Sequence, residues 1–387
     1  MAARDLMVPK IRNAMSYSVY GSSDFEAMMD KLLKSVVDEF LSKTDLSKLS
    51  ALVLGGGYGR GEGGVFRHDG IEELYNDLDL FVFTKPMNLI SRRKLKHALD
   101  HLHQLLSSKH GIDIDFSIPK ISKSLPATPI SQMYYDLRYG HKVLWGNPHL
   151  LHALPAWSAQ DIPRMEALRL LLNRGVGLYL SQRYLAEEDP ACHADFINRN
   201  ICKALQATAE AIMIDNGKYE SSVVSRMRIL QDTNLESYSG QVKLKAEILK
   251  SMEFKLMPYI PDFDAIYFEQ KLNYATAALK DVYYTLWSKE LGESISDGST
   301  LINSIKRGIR DFKIRNVALN LRDKSLNQIS SKDWFRYPRF RLHMAMPWMV
   351  FGEEMDNQIV SGILGMNSIL SREGLEQRFM TLWKRYN

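Results

Sequence analysis

Apolar and polar positions alternate with two different periods in the first 150 residues. From Asp24 to Lys43 apolar residues recur at steps of three and four, which predicts an amphipathic helix, and Ser91 to His110 predicts another. Short apolar or alternating runs predict strands at Ala51–Leu54, Asp77–Phe83 and Ile112–Ile118, and Lys142–Trp145 is a fourth candidate. Helices and strands thus intermingle in this part of the chain, which predicts a small sheet covered by helices.

Beyond about residue 155 the pattern becomes helical. Helices are predicted at Pro163–Arg183, Ala194–Asn216, Ser221–Leu230, Gln241–Met252, Phe263–Leu291, Thr300–Asn320 and Gly374–Tyr386. The stretch PHLLHALPAWSAQDIP contains three prolines and marks the boundary. We therefore expect an α+β protein, with a mixed-sheet domain over residues 1–155 and an all-α domain over residues 156–387.

Composition narrows the class of protein. The 387 residues are 45% hydrophobic and 25% charged, as in ordinary globular proteins. No apolar run reaches the roughly 18–20 residues of a membrane span, and the first residues lack the apolar core of a signal peptide. Two cysteines, Cys192 and Cys202, make neither a disulfide framework nor a zinc site. We expect a cytoplasmic protein without a membrane partner; the net charge of +5 is compatible with phosphate or nucleic-acid ligands.

A glycine-rich run, GGGYGRGEGG, follows the first predicted strand from Gly55 to Gly64. Glycines let backbone N–H groups approach a polyphosphate closely, and Arg60 can add a forked cationic donor. The run lacks the Lys-Ser/Thr pair of a Walker A loop, and a dinucleotide fingerprint that starts at Gly55 needs glycine where Arg60 stands. The run therefore argues against both of these common phosphate-binding loops. Gly59, Gly61 and Gly64 fit GxGxxG formally, but that frame starts four residues past the strand and no helical pattern follows it.

Paired carboxylates follow on the next strands. Asp77 and Asp79 are two apart in a strand, so they share one face with their backbones roughly 7 Å apart. Asp113 and Asp115 repeat this spacing on the third predicted strand. Carboxylates grouped in this way can hold a pair of divalent cations about 3.5–4 Å apart. Hard oxygen ligands suit Mg²⁺ or Mn²⁺ better than zinc.

The order of these motifs resembles the DNA polymerase β-type nucleotidyltransferase superfamily: a glycine-rich turn, D-x-D on the next strand, and a carboxylate on a third. The string GGYGRGE from Gly56 to Glu62 is most similar to the nucleotidyltransferase domain of the PII uridylyltransferase family, where S-D-I-D-L follows; here NDLDL fills that place. YGHKVLWG, from Tyr139 to Gly146, resembles the stretch that closes this domain. The resemblance covers roughly residues 45–150.

Two departures argue against a PII uridylyltransferase. Fourteen residues separate Glu62 from Asp77, so Gly63 to Tyr75 is predicted to be an inserted loop. The helical part shows no metal-dependent phosphohydrolase pattern.

The resemblance implies a two-metal, NTP-dependent transferase. It would move an NMP from an NTP, ATP among them, to a hydroxyl on a small molecule or protein and release pyrophosphate. Asp77, Asp79 and Asp115 would be the catalytic carboxylates and bind Mg²⁺ or Mn²⁺, with Asp113 as the alternative third ligand. The nucleotide-binding residues would be Gly56, Gly57, Tyr58 and Arg60. The helical part would bind the acceptor or regulate the enzyme.

Two alternatives remain. The basic stretch from Lys306 to Arg341, with interleaved aromatic residues, is compatible with terminal nucleotide addition to RNA. The chain could also be a nucleotide-binding sensor or scaffold without catalysis. The base of the NTP, the acceptor and the oligomeric state are not determined by the sequence.

Overall fold

The structure is a computed structural model that describes residues 16–235, 238, 244–309, 313–323, 333–366 and 368–386. These residues pack into two units. The first comprises the described residues up to Pro163 together with segments 216–234 and 245–259, and the second comprises the remainder. Two segments from the later part of the chain therefore pack with the first unit. The division into functional domains at residue 155 stays a prediction.

Strands and helices alternate in the first part of the chain. The strands are β1 (Leu49–Leu54), β2 (Val65–His68), β3 (Ile71–Leu74), β4 (Leu78–Thr84), β5 (Ile114–Phe116), β6 (Lys120–Ile121) and β7 (Lys142–Gly146). The helices among them are α1 (Ser23–Lys43), α2 (Gly56–Gly59), α3 (Leu89–His110) and α4 (Gln132–Tyr139). The sheet is ordered β5-β4-β1-β7, with β6 also paired to β4. β1 is antiparallel to β4 and β7, whereas β5 and β6 run parallel to β4. This small mixed sheet with helices agrees with the α+β prediction.

Every regular element described after Pro163 is helical. The α-helices are α5 (Arg164–Leu185), α6 (Ala194–Asp215), α7 (Val223–Asp232), α8 (Leu244–Leu256), α9 (Ala265–Leu291), α10 (Gly298–Gly308), α11 (Ile314–Arg322), α12 (Arg339–Met349), α13 (Asn357–Ile363) and α14 (Arg372–Tyr386). In the second unit α5, α6 and α9 pack against one another around buried aliphatic and aromatic side chains. None of the described helices combines the length and the apolar character that a bilayer span requires.

The inserted segment predicted to be a loop forms a hairpin instead. β2 and β3 pair in antiparallel register, with Val65 opposite Leu74. The two-residue turn is Asp69-Gly70, and both residues have positive φ. Asp-Gly is a strong hairpin signal because both residues tolerate this backbone region. The hairpin is not evident from the sequence because its two strands are only four residues long.

The sheet separates two apolar cores because side chains alternate along its strands. One core contains Leu78, Leu80 and Ile114 with the apolar stripes of α1 and α3. The other contains Val53 and Phe83, packed against residues after β6. Asp79, which alternates with Leu78 and Leu80 along β4, therefore lies on the second face.

We expect Leu102→Ala in α3 to lower the free energy of unfolding by about 2–5 kcal/mol, because Leu102 is fully buried between α3 and the sheet. Leu105→Ala on the same helix is the control. Leu105 is 39% exposed, so its truncation should cost less than about 1 kcal/mol. Urea unfolding of both variants measures the difference, and equal losses would contradict the packing of α3 on the sheet.

Candidate active site

The glycine turn is clamped to β4 at its first residues. β1 ends at Leu54, and the N–H of Gly55 donates to the Asp79 carbonyl at 2.8 Å. Gly56 has a φ of +60°. A Cβ at Gly56 would lie 2.1 Å from Oδ2 of Asp79. Both the backbone conformation and the contact therefore require glycine. The turn and the D-x-D strand meet at van der Waals distance.

The predicted carboxylates are brought together by strand register. Asp79 on β4 is aligned with Asp115 on the parallel strand β5. Aligned residues on neighbouring strands lie about 4.8 Å apart in the hydrogen-bonding direction. Asp77 immediately precedes β4, and the N–H of Leu78 donates to the Asp113 carbonyl at 2.9 Å. The backbones at the start of β4 and the start of β5 are therefore adjacent, whereas the carboxylates of Asp77 and Asp79 do not belong to the close group that Asp113 and Asp115 form with His103.

His103 on α3 joins this cluster. Its Nδ1 lies 3.4 Å from Oδ1 of Asp115 and 3.6 Å from Oδ1 of Asp113. The same nitrogen is 3.1 Å from the Ile114 carbonyl oxygen. The ligand atoms of His103, Asp113 and Asp115 all lie within 4.8 Å of one another. His103 was not among the predicted site residues, because its approach to β5 depends on how α3 packs.

The electrostatics of Asp115 fit a cation site. Burial raises the pKa of the Asp115 carboxyl, and the negative charges of Asp113 and Asp77 raise that pKa further, while His103 opposes them. A carboxyl with a raised pKa resists carrying its negative charge. A divalent cation would relieve this repulsion, and the oxygen donors are those that Mg²⁺ and Mn²⁺ prefer. The residues present therefore fit the predicted metal.

Tyr58 is an internal brace of the glycine turn. Its ring is buried, and its hydroxyl donates to the Gly64 carbonyl at 2.8 Å and accepts from the Tyr75 N–H at 3.1 Å. Burial raises the pKa of Tyr58 to about 12, so the phenol stays protonated. Its hydroxyl thus ties the turn to both ends of the inserted hairpin. Tyr58 would therefore contribute to nucleotide binding only indirectly, by holding the turn in shape.

Arg60 lies beside the turn between two carboxylates. Its Nη1 is 3.6 Å from Oδ2 of Asp136, and its Nε is 4.0 Å from Oε2 of Glu62. The side chain is mostly buried, and a Cβ at Gly140 would lie 2.3 Å from its Cγ. Arg60 is therefore packed in place within the first unit. Its contact with a phosphate stays a prediction.

Glu62 is a supporting residue that sequence reasoning missed. Its buried carboxylate accepts from the Ser222 hydroxyl at 2.5 Å and from the N–H groups of Val223 at 2.7 Å and Val224 at 3.1 Å. These groups form the N-terminus of α7, where the helix dipole favours negative charge. A carboxylate within a run of glycines is a signal that could have been noticed. Its partners lie about 160 residues away in the chain, so the sequence does not reveal them.

A second long-range contact supports Arg60. Asp136 on α4 faces Arg60 and accepts from the Tyr219 hydroxyl at 3.0 Å. Tyr219 is buried, and Nη1 of Arg226 lies 3.3 Å from its hydroxyl. The glycine turn, α4 and the start of α7 thus share one buried polar network, in which Nε of Arg60 has no hydrogen-bond partner among the described residues.

No family model matches the sequence, and no curated protein matches it. Among solved structures, the chain is similar to spectinomycin adenyltransferase AAD(9) from Enterococcus faecialis, solved with ATP and spectinomycin. The sequence identity is 16%, the similarity covers 66% of this chain and 99% of that chain, and the TM-score is 0.36. At this TM-score the likeness carries no argument about function, which depends on the geometry of the site.

We expect Gly56→Ala to destabilise the protein more than Gly70→Ala. Both glycines have positive φ, so alanine costs about 1–2 kcal/mol of backbone strain at each position. Open space surrounds a Cβ at Gly70, whereas at Gly56 it would overlap the Asp79 carboxylate and add about 1–3 kcal/mol. Urea unfolding measures both costs; equal values would show that the turn does not contact Asp79 in solution.

We expect Glu62→Gln to cost about 1–3 kcal/mol, because an amide nitrogen would face the N–H and hydroxyl donors at the start of α7. Glu73→Gln is the control, since Glu73 is exposed and its Oε2 lies 3.0 Å from Nε2 of His68. An exposed pair contributes at most about 1 kcal/mol. Chemical unfolding compares the two, and an unchanged midpoint for Glu62→Gln would contradict the buried contact.

Proposed function

We propose that the chain is a metal-dependent nucleotidyltransferase. It would transfer an NMP from an NTP to a hydroxyl on a small molecule or protein and release pyrophosphate. One observation carries the proposal: the Asp79 carboxylate touches the glycine turn and is aligned with Asp115. This contact supports the proposal that the turn binds phosphate next to the carboxylates that would bind metal. This arrangement matches the motif order from which the resemblance was inferred.

In the proposed reaction the acceptor hydroxyl oxygen attacks the α-phosphorus, and the bond to the bridging oxygen of pyrophosphate breaks. Asp77, Asp79 and Asp115 would hold the cations. Bound Mg²⁺ or Mn²⁺ would supply charge neutralisation and an acidified acceptor hydroxyl. Asp115 would also accept the proton of that hydroxyl.

The glycine turn would bind the leaving phosphates. Backbone N–H groups at Gly56 and Gly57 can approach phosphate oxygens without intervening side chains, and Arg60 would add charge. Because Tyr58 and Glu62 hold the turn in shape, its dipoles would be oriented before the substrate binds. Preorganised dipoles of this kind stabilise the charge that develops in the transition state.

The third metal ligand is proposed to be Asp115. Its alignment with Asp79 supports this choice. Asp113 remains the alternative, because it lies near Asp115 and shares His103 with it.

The acceptor is proposed to be a small molecule or a protein rather than RNA. In the basic stretch, the Arg336 guanidinium donates to the carbonyls of Ile309, at 3.1 Å, and of Lys306. Arg341 is buried and donates to Asn320. These two arginines stabilise the helical unit instead of facing a nucleic acid. Residues 310–312 and 324–332 of the stretch lie outside the described residues.

We further propose that residues 156–387 bind the acceptor or regulate the enzyme, and that the protein works in the cytoplasm. The sensor or scaffold hypothesis is less favoured, because a site without catalysis need not keep Asp77, Asp79 and Asp115 together.

We expect pyrophosphate release from at least one of the four NTPs with Mg²⁺ or Mn²⁺, when cell extract separated into RNA, protein and small-molecule fractions provides the acceptor. The Asp77→Ala/Asp79→Ala double variant should lose roughly a hundredfold or more of this activity, because the metal ligands are removed. Asp100→Ala is the control, since Asp100 is an exposed aspartate of α3 away from β4.

Release that needs both aspartates and the RNA fraction would favour the RNA alternative. NTP binding without release in any fraction would favour the sensor. Activity retained by the double variant, with unchanged circular dichroism, would contradict the metal site.

A further inference from the structure

Exposed aliphatic side chains cluster where α3 begins and the chain enters β6. Leu89 is 73% exposed, Ile90 is 66% exposed and Ile118 is 79% exposed. Leu89 and Ile90 line a cavity of about 590 Å³ together with Pro119, Ile121 and Arg92. Side chains this apolar are normally buried, and a contiguous exposed group of them marks an interaction site.

Cations flank these aliphatic side chains. Arg92, Arg93 and Lys94 follow Leu89 and Ile90 at helical steps of three and four, which places them on neighbouring positions of the α3 surface. Lys123 follows Ile121 closely in the chain. All four cations are exposed, and within the described part of the chain none of them pairs with a carboxylate.

The two chain segments that form this surface contain no acidic residue. None occurs between Asp79 and Asp100, nor between Asp115 and Asp136. Lys85 is not counted among the cations, because Asp45 is close enough to interact with it. We call the four cations together with Leu89, Ile90, Ile118, Pro119 and Ile121 the apolar–basic patch. It combines uncompensated positive charge with protruding aliphatic surface.

We propose that the apolar–basic patch binds the surface of a membrane that contains anionic phospholipids. A phospholipid has an anionic phosphate next to acyl chains, which matches a surface where Arg92 borders a cavity lined by Leu89 and Ile90. Protruding aliphatic side chains can enter the interfacial region of a bilayer, while Lys and Arg remain at the headgroups. RNA would use the cations and leave the aliphatic side chains in water. An acidic protein would need a surface shaped to fit the patch. A bilayer is fluid and adapts to the protruding side chains.

From the sequence we expect no membrane partner, because no apolar run is long enough to span a bilayer. The patch contains no such run. Its aliphatic residues come from the first turn of α3 and from residues 118–121, which the sheet brings together. The protein would lie on the membrane without crossing it.

The location of the patch leaves the candidate active site accessible. Thr84, at the end of β4, lines the cavity, whereas Asp79 lies near the start of the same strand. Five residues of strand extend over roughly 17 Å. Membrane binding would therefore cover one end of β4 and leave the aspartates at the other end free. The proposal does not depend on the nucleotidyltransferase reaction.

Cosedimentation of the full chain with vesicles tests the proposal. The probes are phosphatidylcholine vesicles with about one third phosphatidylserine and vesicles of phosphatidylcholine alone. We expect partitioning onto the anionic vesicles that weakens at high salt. Arg92→Glu/Arg93→Glu should lower the partition coefficient roughly tenfold or more. Leu89→Ser/Ile90→Ser should lower it as well, because apolar insertion contributes to binding.

Matched variants elsewhere distinguish the patch from general charge or hydrophobicity. Lys31→Glu/Lys34→Glu changes two exposed lysines of α1, and Ile359→Ser changes an exposed isoleucine of α13. Both should partition like the wild type, and circular dichroism should be unchanged in all variants.

Four results would overturn the proposal. One is that the wild type stays in solution with both kinds of vesicle. A second is equal loss of binding in the control variants. A third is full competition by inorganic phosphate at matched ionic strength, which would indicate a free phosphate site. The fourth is binding that Leu89→Ser/Ile90→Ser leaves unchanged, which would indicate a ligand recognised by charge alone, such as RNA or an acidic protein.

Discussion

The candidate site depends on one close approach, between the backbone of Gly56 and the carboxylate of Asp79. A Cβ at Gly56 would lie 2.1 Å from Oδ2 of Asp79, so any other residue there would displace this carboxylate and would also have to adopt a φ of +60°. The hydrogen bond from Gly55 to the Asp79 carbonyl holds the two segments together from the other side. In the proposed function, this approach lets one triphosphate contact both the turn and the metal ligands.

Residues distant in sequence maintain that approach. Tyr58 braces the turn against the inserted hairpin, and Glu62 anchors it to the N-terminus of α7. Arg60 is held by Asp136, which is in turn bonded to Tyr219. Because these polar groups are buried and partnered, losing one partner would leave another without compensation. The rigidity of the turn is therefore a property of the whole first unit.

The same physical rule explains the basic stretch of the helical unit. A guanidinium has five donors, and burial is tolerated when carbonyl and amide oxygens accept from them. Arg336 meets this condition with two carbonyls, and Arg341 meets it at Nη2, which donates to Asn320, while its Nη1 has no hydrogen-bond partner in the described part of the chain. The unpaired cations of the apolar–basic patch, in contrast, remain exposed next to aliphatic side chains. Clustered cations in the sequence therefore stabilise the interior of the helical unit in one case and form an exposed charged surface in the other. Only their burial in the structure distinguishes the two cases.

The sequence by itself determined the helices α1 and α3 and the central strands, and it predicts that Asp77 and Asp79 share one face. These are local properties, because periodicity and the preference of glycine for positive φ act within a few residues. The two-residue turn at Gly70 was equally local, yet its strands were too short to be recognised. The tertiary structure decided which partners meet. The register of β4 and β5 aligned Asp79 with Asp115, the packing of α3 brought His103 to them, and the fold placed α7 against Glu62. Contacts between residues far apart in the chain depend on how a sheet and its helices satisfy burial and hydrogen bonding together, and no local pattern encodes that outcome.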